Sequence, residues 1–173
     1  MVEFVRVDLA VHRDMLVALN EEYLGWIADQ LREYYGIDAT STIRQTVREY
    51  AEKSVEEIAA LVPPEGIFYL LELDGDTVGM GGLRKIRKSA GEIKRMYVRP
   101  SHRGAGLGRS LLQRLLDSAR EFGFSLVLLE TGQFMAAAQG LYRSMGFRDR
   151  PEYPETEVPK ELRRVWLFME KHI

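Results

Sequence analysis

The sequence contains no cysteine, which excludes disulfides, cysteine-bound zinc, iron–sulfur clusters and a thiol nucleophile. Histidine is nearly as scarce. His12, His102 and His172 lie far apart with no HxH or HExxH spacing, so no metal site is expected. Long apolar runs are missing too. Stretches such as Leu126–Leu129 fall well short of the ~18–20 residues needed to cross a bilayer, and Glu3, Arg6 and Asp8 stand where a signal peptide would be apolar. The chain therefore reads as soluble and cytoplasmic, with no membrane partner. What is present, 173 residues of which 46% are hydrophobic, has the size and composition of one globular domain.

Net charge is also small, −2, but its parts are segregated. Residues 1–83 hold 6 Lys/Arg and 16 Asp/Glu, residues 84–109 hold 9 and 1, and residues 110–173 hold 9 and 9. The basic stretch points to a local polyanion. Its limited extent argues against nucleic acid as the partner.

Phe4–Val7 has the alternation of a first strand, and Met15, Leu16, Leu19, Tyr23, Trp26, Ile27 and Leu31 then share a helical stripe that Gly36 ends. Ser54 and Glu57 have the S-x-x-E spacing of a capping box and predict a helix start leading into Ile58–Val62, stopped by Pro63 and Pro64. Ile67–Leu73 and Thr77–Ile86 flank Asp74-Gly75, a hairpin signal because that pair accepts the positive φ angles of a tight turn. Ile93–Val98 is a further strand. Leu107, Leu111, Leu112, Leu115, Leu116 and Ala119 recur with helical period, and Leu126–Leu129 is a short buried strand, so the order strand, glycine loop, helix, strand is a βαβ unit. Ala136–Met145 reads as a short helix ending at Gly146, Pro151–Pro159 as a loop and Arg164–Lys171 as a last strand. With no internal repeat or linker, residues 1–173 read as a single mixed α/β domain.

The loop Arg103-Gly-Ala-Gly-Leu-Gly108 brings backbone N–H groups to the start of a helix, a geometry suited to a phosphate or pyrophosphate. A P-loop is disfavoured because no Gly-Lys-Ser/Thr follows. A dinucleotide-binding fingerprint starting at Gly104 would need glycine where Arg109 stands, although Glu130 imitates the ribose-binding acid, and it remains a weak rival. The third pattern is R-x-x-G-x-G, met by Arg103, Gly106 and Gly108.

That loop, with the run from Glu92 to Pro100 before it and Leu141 to Phe147 after it, resembles the GNAT superfamily of acetyl-CoA-dependent N-acetyltransferases over about residues 67–147. The resemblance implies a single-domain fold in which a central mixed sheet, flanked by helices, is splayed between the strands at Ile93–Val98 and Leu126–Leu129. Residues 1–66 would then supply a strand and acceptor-side helices, 67–147 the acetyl-CoA core, and 148–173 a closing loop and strand. The backbone of Met96, Tyr97 and Val98 would pair with the pantetheine arm, and Arg103, Gly104, Ala105, Gly106, Leu107, Gly108, Arg109 and Ser110 would hold the pyrophosphate of the cosubstrate. Arg84, Lys85, Arg87, Lys88, Lys94, Arg95 and Arg99 would add positive charge. Met135 stands where many members place a polar residue that contacts pantetheine.

Acetyl transfer to an amine needs a base for the amine and a proton for the departing thiolate. With no cysteine, G-x-S-x-G or S-x-x-K, direct transfer in a ternary complex is expected. The family pattern assigns Tyr142 to the proton-donor role. Glu92, the sole acid of residues 84–109, is the candidate base, with Glu130 in reserve; the alternative for Glu92 is an ion pair with its basic neighbours. The acidic N-terminal helices suggest a cationic amine acceptor. A non-catalytic acyl-CoA-binding domain stays open as the alternative function. The apolar run Val165–Met169 suits either a homodimer contact or burial within one chain.

Overall fold

In a computed structural model describing residues 1–173, the opening strand β1 (Val2–Arg6) pairs antiparallel with β2 (Gly66–Leu73), Phe4 lying opposite Leu71. Asp74 and Gly75, at φ 52° and 92°, turn β2 into β3 (Asp76–Arg87) as the Asp-Gly signal requires. Next come β4 (Ala90–Val98), β5 (Leu126–Gly132), β6 (Arg148–Arg150) and β7 (Trp166–His172). The sheet order is β1-β2-β3-β4-β5-β7-β6, and only the β4–β5 pair is parallel. These strands belong to a unit formed by Met1–Arg6 and Leu61–Ile173.

A second unit, Val7–Ala60, is helical. Its helices are α1 (Leu9–Tyr35), α2 (Ala39–Ile43) and α3 (Val47–Ala59). Asp8 caps α1 by accepting from Ala10 N–H, and Gly36 ends it in the left-handed conformation at φ 63°. The expected capping box at Ser54 and Glu57 is corrected. The reciprocal bonds are made by Thr46 and Glu49, while Ser54 is buried inside α3 and donates to the Ala51 carbonyl at 2.8 Å. Ala51, Val55 and Ile58 form a buried stripe that runs through Ser54, so the helix begins before it. The N-terminal segment is thus divided, its strand joining the sheet and its helices forming the second unit.

In the sheet unit, α4 (Leu107–Glu121) is the crossover between β4 and β5, and α5 (Ala136–Ser144) follows β5. Leu111, Leu112, Leu115 and Leu116 of α4 meet Ile67, Leu83, Ile93, Val127 and Leu129 of the strands, joined by Tyr142 and Phe147. Each such leucine contributes about 1.5–3 kcal/mol by leaving water. Tyr69 fixes the helix laterally: its hydroxyl lies 3.1 Å from Ser118 Oγ and accepts from Arg114 at 2.7 Å. The C-terminal apolar run is used within the chain, since β7 pairs on both edges and Val165, Phe168 and Met169 are buried. No helix is long and apolar enough to cross a membrane.

Close approach of β3 to β4 depends on Gly79, where a Cβ would lie 2.5 Å from the carbonyl oxygen of Tyr97. Gly79→Ala is therefore expected to destabilise the protein by about 1–3 kcal/mol, because backbone must shift to admit the methyl group. Urea denaturation reads this as a lower midpoint; an unchanged midpoint would contradict the tight strand contact.

Candidate active site

β4 and β5 pair over only four positions, Ala90–Ile93 against Leu126–Leu129. Beyond them β4 continues along β3 while β5 continues along β7, so the two strands part at Lys94 and Glu130. A bulge bends β4 at this point. Lys94 lies opposite Gly82 and Tyr97 opposite Met80, leaving Arg95 and Met96 against Gly81 alone, with Arg95 at φ 51°. A side-chain-bearing residue with positive φ is uncommon and collects at functional sites. The backbone of Met96, Tyr97 and Val98 thus lies on the parted segment of β4, with no ladder to β5.

After β4 the chain makes a short 3-10 turn, Pro100–His102, and enters the glycine loop. Gly104 and Gly106 take φ of 84° and 80°, values that side chains resist, and Gly106 is the N-cap of α4. No side chain caps this helix, so the first N–H groups of Leu107, Gly108 and Arg109 and the positive end of the dipole face outward from the loop. Arg103 donates from Nε to the Val98 carbonyl at 2.9 Å and lies 5.7 Å from the Tyr97 ring centre, which ties the loop to the end of β4. Arg109 donates to Ser144 Oγ at 2.7 Å, and Ser110 bonds back to the Gly106 carbonyl. The structure therefore brings Arg103–Ser110 together in one loop at the start of α4, a geometry suited to an anion.

Glu92 and Glu130 also come together. Glu92 has no exposed surface and accepts from Arg84 Nε at 2.6 Å and from the Tyr153 hydroxyl. Glu130 accepts from the Thr156 hydroxyl. Between them lies the Lys94 ammonium, 3.7 Å from each carboxylate and 2.9 Å from Glu157. Burial first of all raises Glu92 above the ordinary carboxylate range; Lys94 opposes this, the like charge of Glu130 adds to it, and Arg84 and Tyr153 oppose it. Burial works to lower Lys94, but Glu92, Glu130 and Glu157 together hold it above its ordinary value. Burial and the two carboxylates likewise keep the Tyr153 phenol protonated far beyond its usual range.

The basic stretch, expected to add positive charge for the cosubstrate, divides accordingly. Arg84 pairs with Glu92 and Glu157, Lys85 with Glu65, Arg87 with Glu155, and Lys94 with three acids. Arg84 and Lys94, largely covered, need such partners and are committed within the protein, whereas Lys85 and Arg87 make exposed pairs. The residues missed from sequence are Tyr153, Glu155, Thr156 and Glu157, all in the proline-rich loop. Their signal was charge: three acids in a short loop, complementary to a basic stretch with a single acid.

Tyr142 is buried on α5, its ring 5.9 Å from that of Phe147, in the core that holds Ile93 and Leu129. Strand alternation puts Glu92 on the other face of the sheet from Ile93. Tyr142 and the carboxylates thus belong to opposite faces of the sheet where β4 and β5 part. Met135 caps the start of α5, with Thr131 Oγ1 3.5 Å from its sulfur, and Gln133 donates to the Arg164 carbonyl.

A parted parallel pair, a glycine cradle and these facing groups define a fold class that comparison identifies. The acetyltransferase (GNAT) family model matches residues 20–147, and the chain belongs to that family, as an N-acetyltransferase. It is 40% identical over 117 residues to an IAA acetyltransferase of Azospirillum brasilense, covering 66% of this chain and 73% of that protein. It is 32% identical over 119 residues to the N-acetyltransferase YjgM of Escherichia coli (strain K12), covering 61% and 71%. Among solved structures, the PaiA N-acetyltransferase of Thermoplasma acidophilum in complex with coenzyme A has the same fold, with a TM-score of 0.72 at 16% identity over 100% of this chain and 99% of that one. The acetyltransferase YncA of Salmonella typhimurium, solved with acetyl-CoA, gives 0.63 at 20% identity over 99% and 94%.

The cluster makes stability depend on pH. Burial works to raise Glu157, but Lys94 and Arg84 outweigh it and hold the carboxyl below its ordinary value. Its stabilising contribution is therefore present above the unfolded value of ~4.3 and lost as pH falls through the lower folded value. Glu92, held high, contributes with the opposite sign. Between about pH 6 and about pH 3, Glu157→Gln is expected to lose less stability than wild type in urea titrations. Parallel losses would show that Glu157 gains nothing from Lys94 and Arg84.

Proposed function

We propose that the protein moves an acetyl group from acetyl-CoA directly to a primary amine within a ternary complex. The observation that carries this reading is the gap between β4 and β5, with an anion cradle at its outer end and titratable groups on both faces. The loop Arg103–Ser110 binds the pyrophosphate of the cosubstrate through the N–H groups of Gly104 to Arg109, since those of Arg103 and Ser110 donate to the Pro100 and Gly106 carbonyls. The backbone of Met96, Tyr97 and Val98 pairs with the pantetheine arm as a strand would, in the place that β5 has vacated. This orients the thioester carbonyl at the bulge and polarises it.

The acceptor amine arrives protonated at neutral pH and must lose a proton before its lone pair can attack. A carboxylate of the Glu92–Glu130 cluster takes that proton. The nitrogen then bonds to the thioester carbon, and the carbon–sulfur bond breaks with its electron pair on sulfur. Tyr142 gives its phenolic proton to the thiolate and regains one as the new amide nitrogen loses its second proton. The proton held by the carboxylates passes to solvent, so one ammonium and one acetyl-CoA yield one amide, one coenzyme A thiol and one proton. The excess of carboxylates in the cluster favours a cationic acceptor.

Thiol release across a panel of primary amines tests the reading, with coenzyme A binding followed by thermal shift. Turnover is expected with at least one cationic amine, and Tyr142→Phe is expected to lower kcat by about 10²–10⁴-fold while leaving the acetyl-CoA Kd unchanged. Stabilisation by coenzyme A without turnover on any amine would instead identify a binding domain, and unchanged kcat in Tyr142→Phe would remove that residue from the mechanism.

A further inference from the structure

The charges around the carboxylates do not balance. From β3 come Arg84 and Arg87, from β4 Glu92 and Lys94, from β5 Glu130, and from the loop after β6 the neutral Tyr153 with Glu155 and Glu157. On β6 and β7, Arg150 and Glu170 pair with each other at 2.7 Å. Three cations thus face four carboxylates. Arg84 serves Glu92 and Glu157, and Arg87 serves Glu155, which leaves Lys94 shared by Glu92 and Glu130 at the same distance, 3.7 Å, while it also holds Glu157. The Tyr153 hydroxyl donates to Glu92, and the Thr156 hydroxyl of the same loop donates to Glu130. Two carboxylates on the parted strands are therefore bridged by one ammonium, and a phenol holds the more buried of them.

We propose that Glu92 and Glu130 work as one base, a coupled pair holding a single proton, with Lys94 and Tyr153 as positioning residues that set the pH at which the pair accepts it. The proposal rests on the carboxylate-base reading above and deepens it. Glu92 has no exposed surface, whereas the Glu130 side chain is 10% exposed. Glu130 is thus the member that meets the acceptor. The ammonium gives one proton to Glu130 and keeps its lone pair; the acceptor goes from one positive charge to none, and the cluster from one excess negative charge to none. Glu92 shares that proton within the dry interior, and Glu130 returns it to solvent once the amide has formed. Two carboxylates that share an ammonium in a water-poor site are electrostatically coupled, so a proton on one changes the charge the other faces. The raised Glu92 agrees with this arrangement.

The test is the pH dependence of kcat/KM on the amine with the highest turnover, for wild type, Lys94→Met, Lys94→Arg, Tyr153→Phe, Glu92→Gln and Glu130→Gln, each checked for coenzyme A binding. Without the bridging cation, Lys94→Met is expected to move the acidic limb up by about one pH unit or more, keeping activity at high pH. Lys94→Arg returns the limb toward wild type, and Tyr153→Phe moves it up by less than Lys94→Met. Glu92→Gln, having lost the neighbouring negative charge, moves the limb down, and Glu130→Gln abolishes it. A uniform loss of rate in Lys94→Met with the limb in place would reduce Lys94 to a structural role and overturn the proposal. So would loss of the limb in Glu92→Gln with a wild-type limb in Glu130→Gln, although that outcome keeps a single carboxylate base. Wild-type limbs in both Gln variants would remove the carboxylate base itself.

Discussion

Two parallel strands that pair for four residues and then diverge cannot leave their backbone groups bare in a protein interior, because each buried, unmade hydrogen bond costs about 1–3 kcal/mol. β5 pairs along its whole length with β7 and β4 stays on β3 through a bulge, which satisfies their outer edges, while beyond Ile93 and Leu129 the edges that face each other no longer pair with one another. The edge of β4 that β5 vacates is where an extended arm of amide groups fits. Gly79 allows β3 to come close enough to hold the bent strand, and α4 packs beneath it, so the gap is built into the core rather than carried on a mobile loop.

The same divergence fixes the electrostatics. Side chains that leave β4 and β5 at the parting point, Lys94 and Glu130, sit where the sheet is open, and neither could be buried there alone. The loop from Pro151 to Pro159 closes over them with Tyr153, Thr156 and Glu157. That loop makes the carboxylates possible as buried groups, and its Tyr153 donates to Glu92. Stability and chemistry draw here on the same residues.

Features set by local chemistry were legible in the sequence. Asp74-Gly75, Gly36, Gly104 and Gly106 each require a backbone conformation that few residues accept, and the leucine stripe of α4 has only one period that buries it. The bulge was not legible. Arg95 at positive φ carries no signal of its own, since it lies in a bulge between the Lys94–Gly82 and Tyr97–Met80 pairs across the hairpin. Ser54 misled because two stretches share capping-box spacing and only packing of Ala51 and Val55 decides between them. Glu92 and Glu130 were singled out, and the alternative for Glu92, an ion pair with its basic neighbours, is what Arg84 and Lys94 make, but the meeting of both carboxylates at Lys94 was not legible. An acidic, proline-rich loop read alone is a solvated one, and its partners lie far away in sequence.

Amide hydrogen exchange with and without coenzyme A bears most directly on the parted strands as the binding slot. The account predicts slowed exchange at residues 96–98 of β4 and 104–110 of the glycine loop, with β1 and β2 unchanged. Binding that protected neither segment would contradict it.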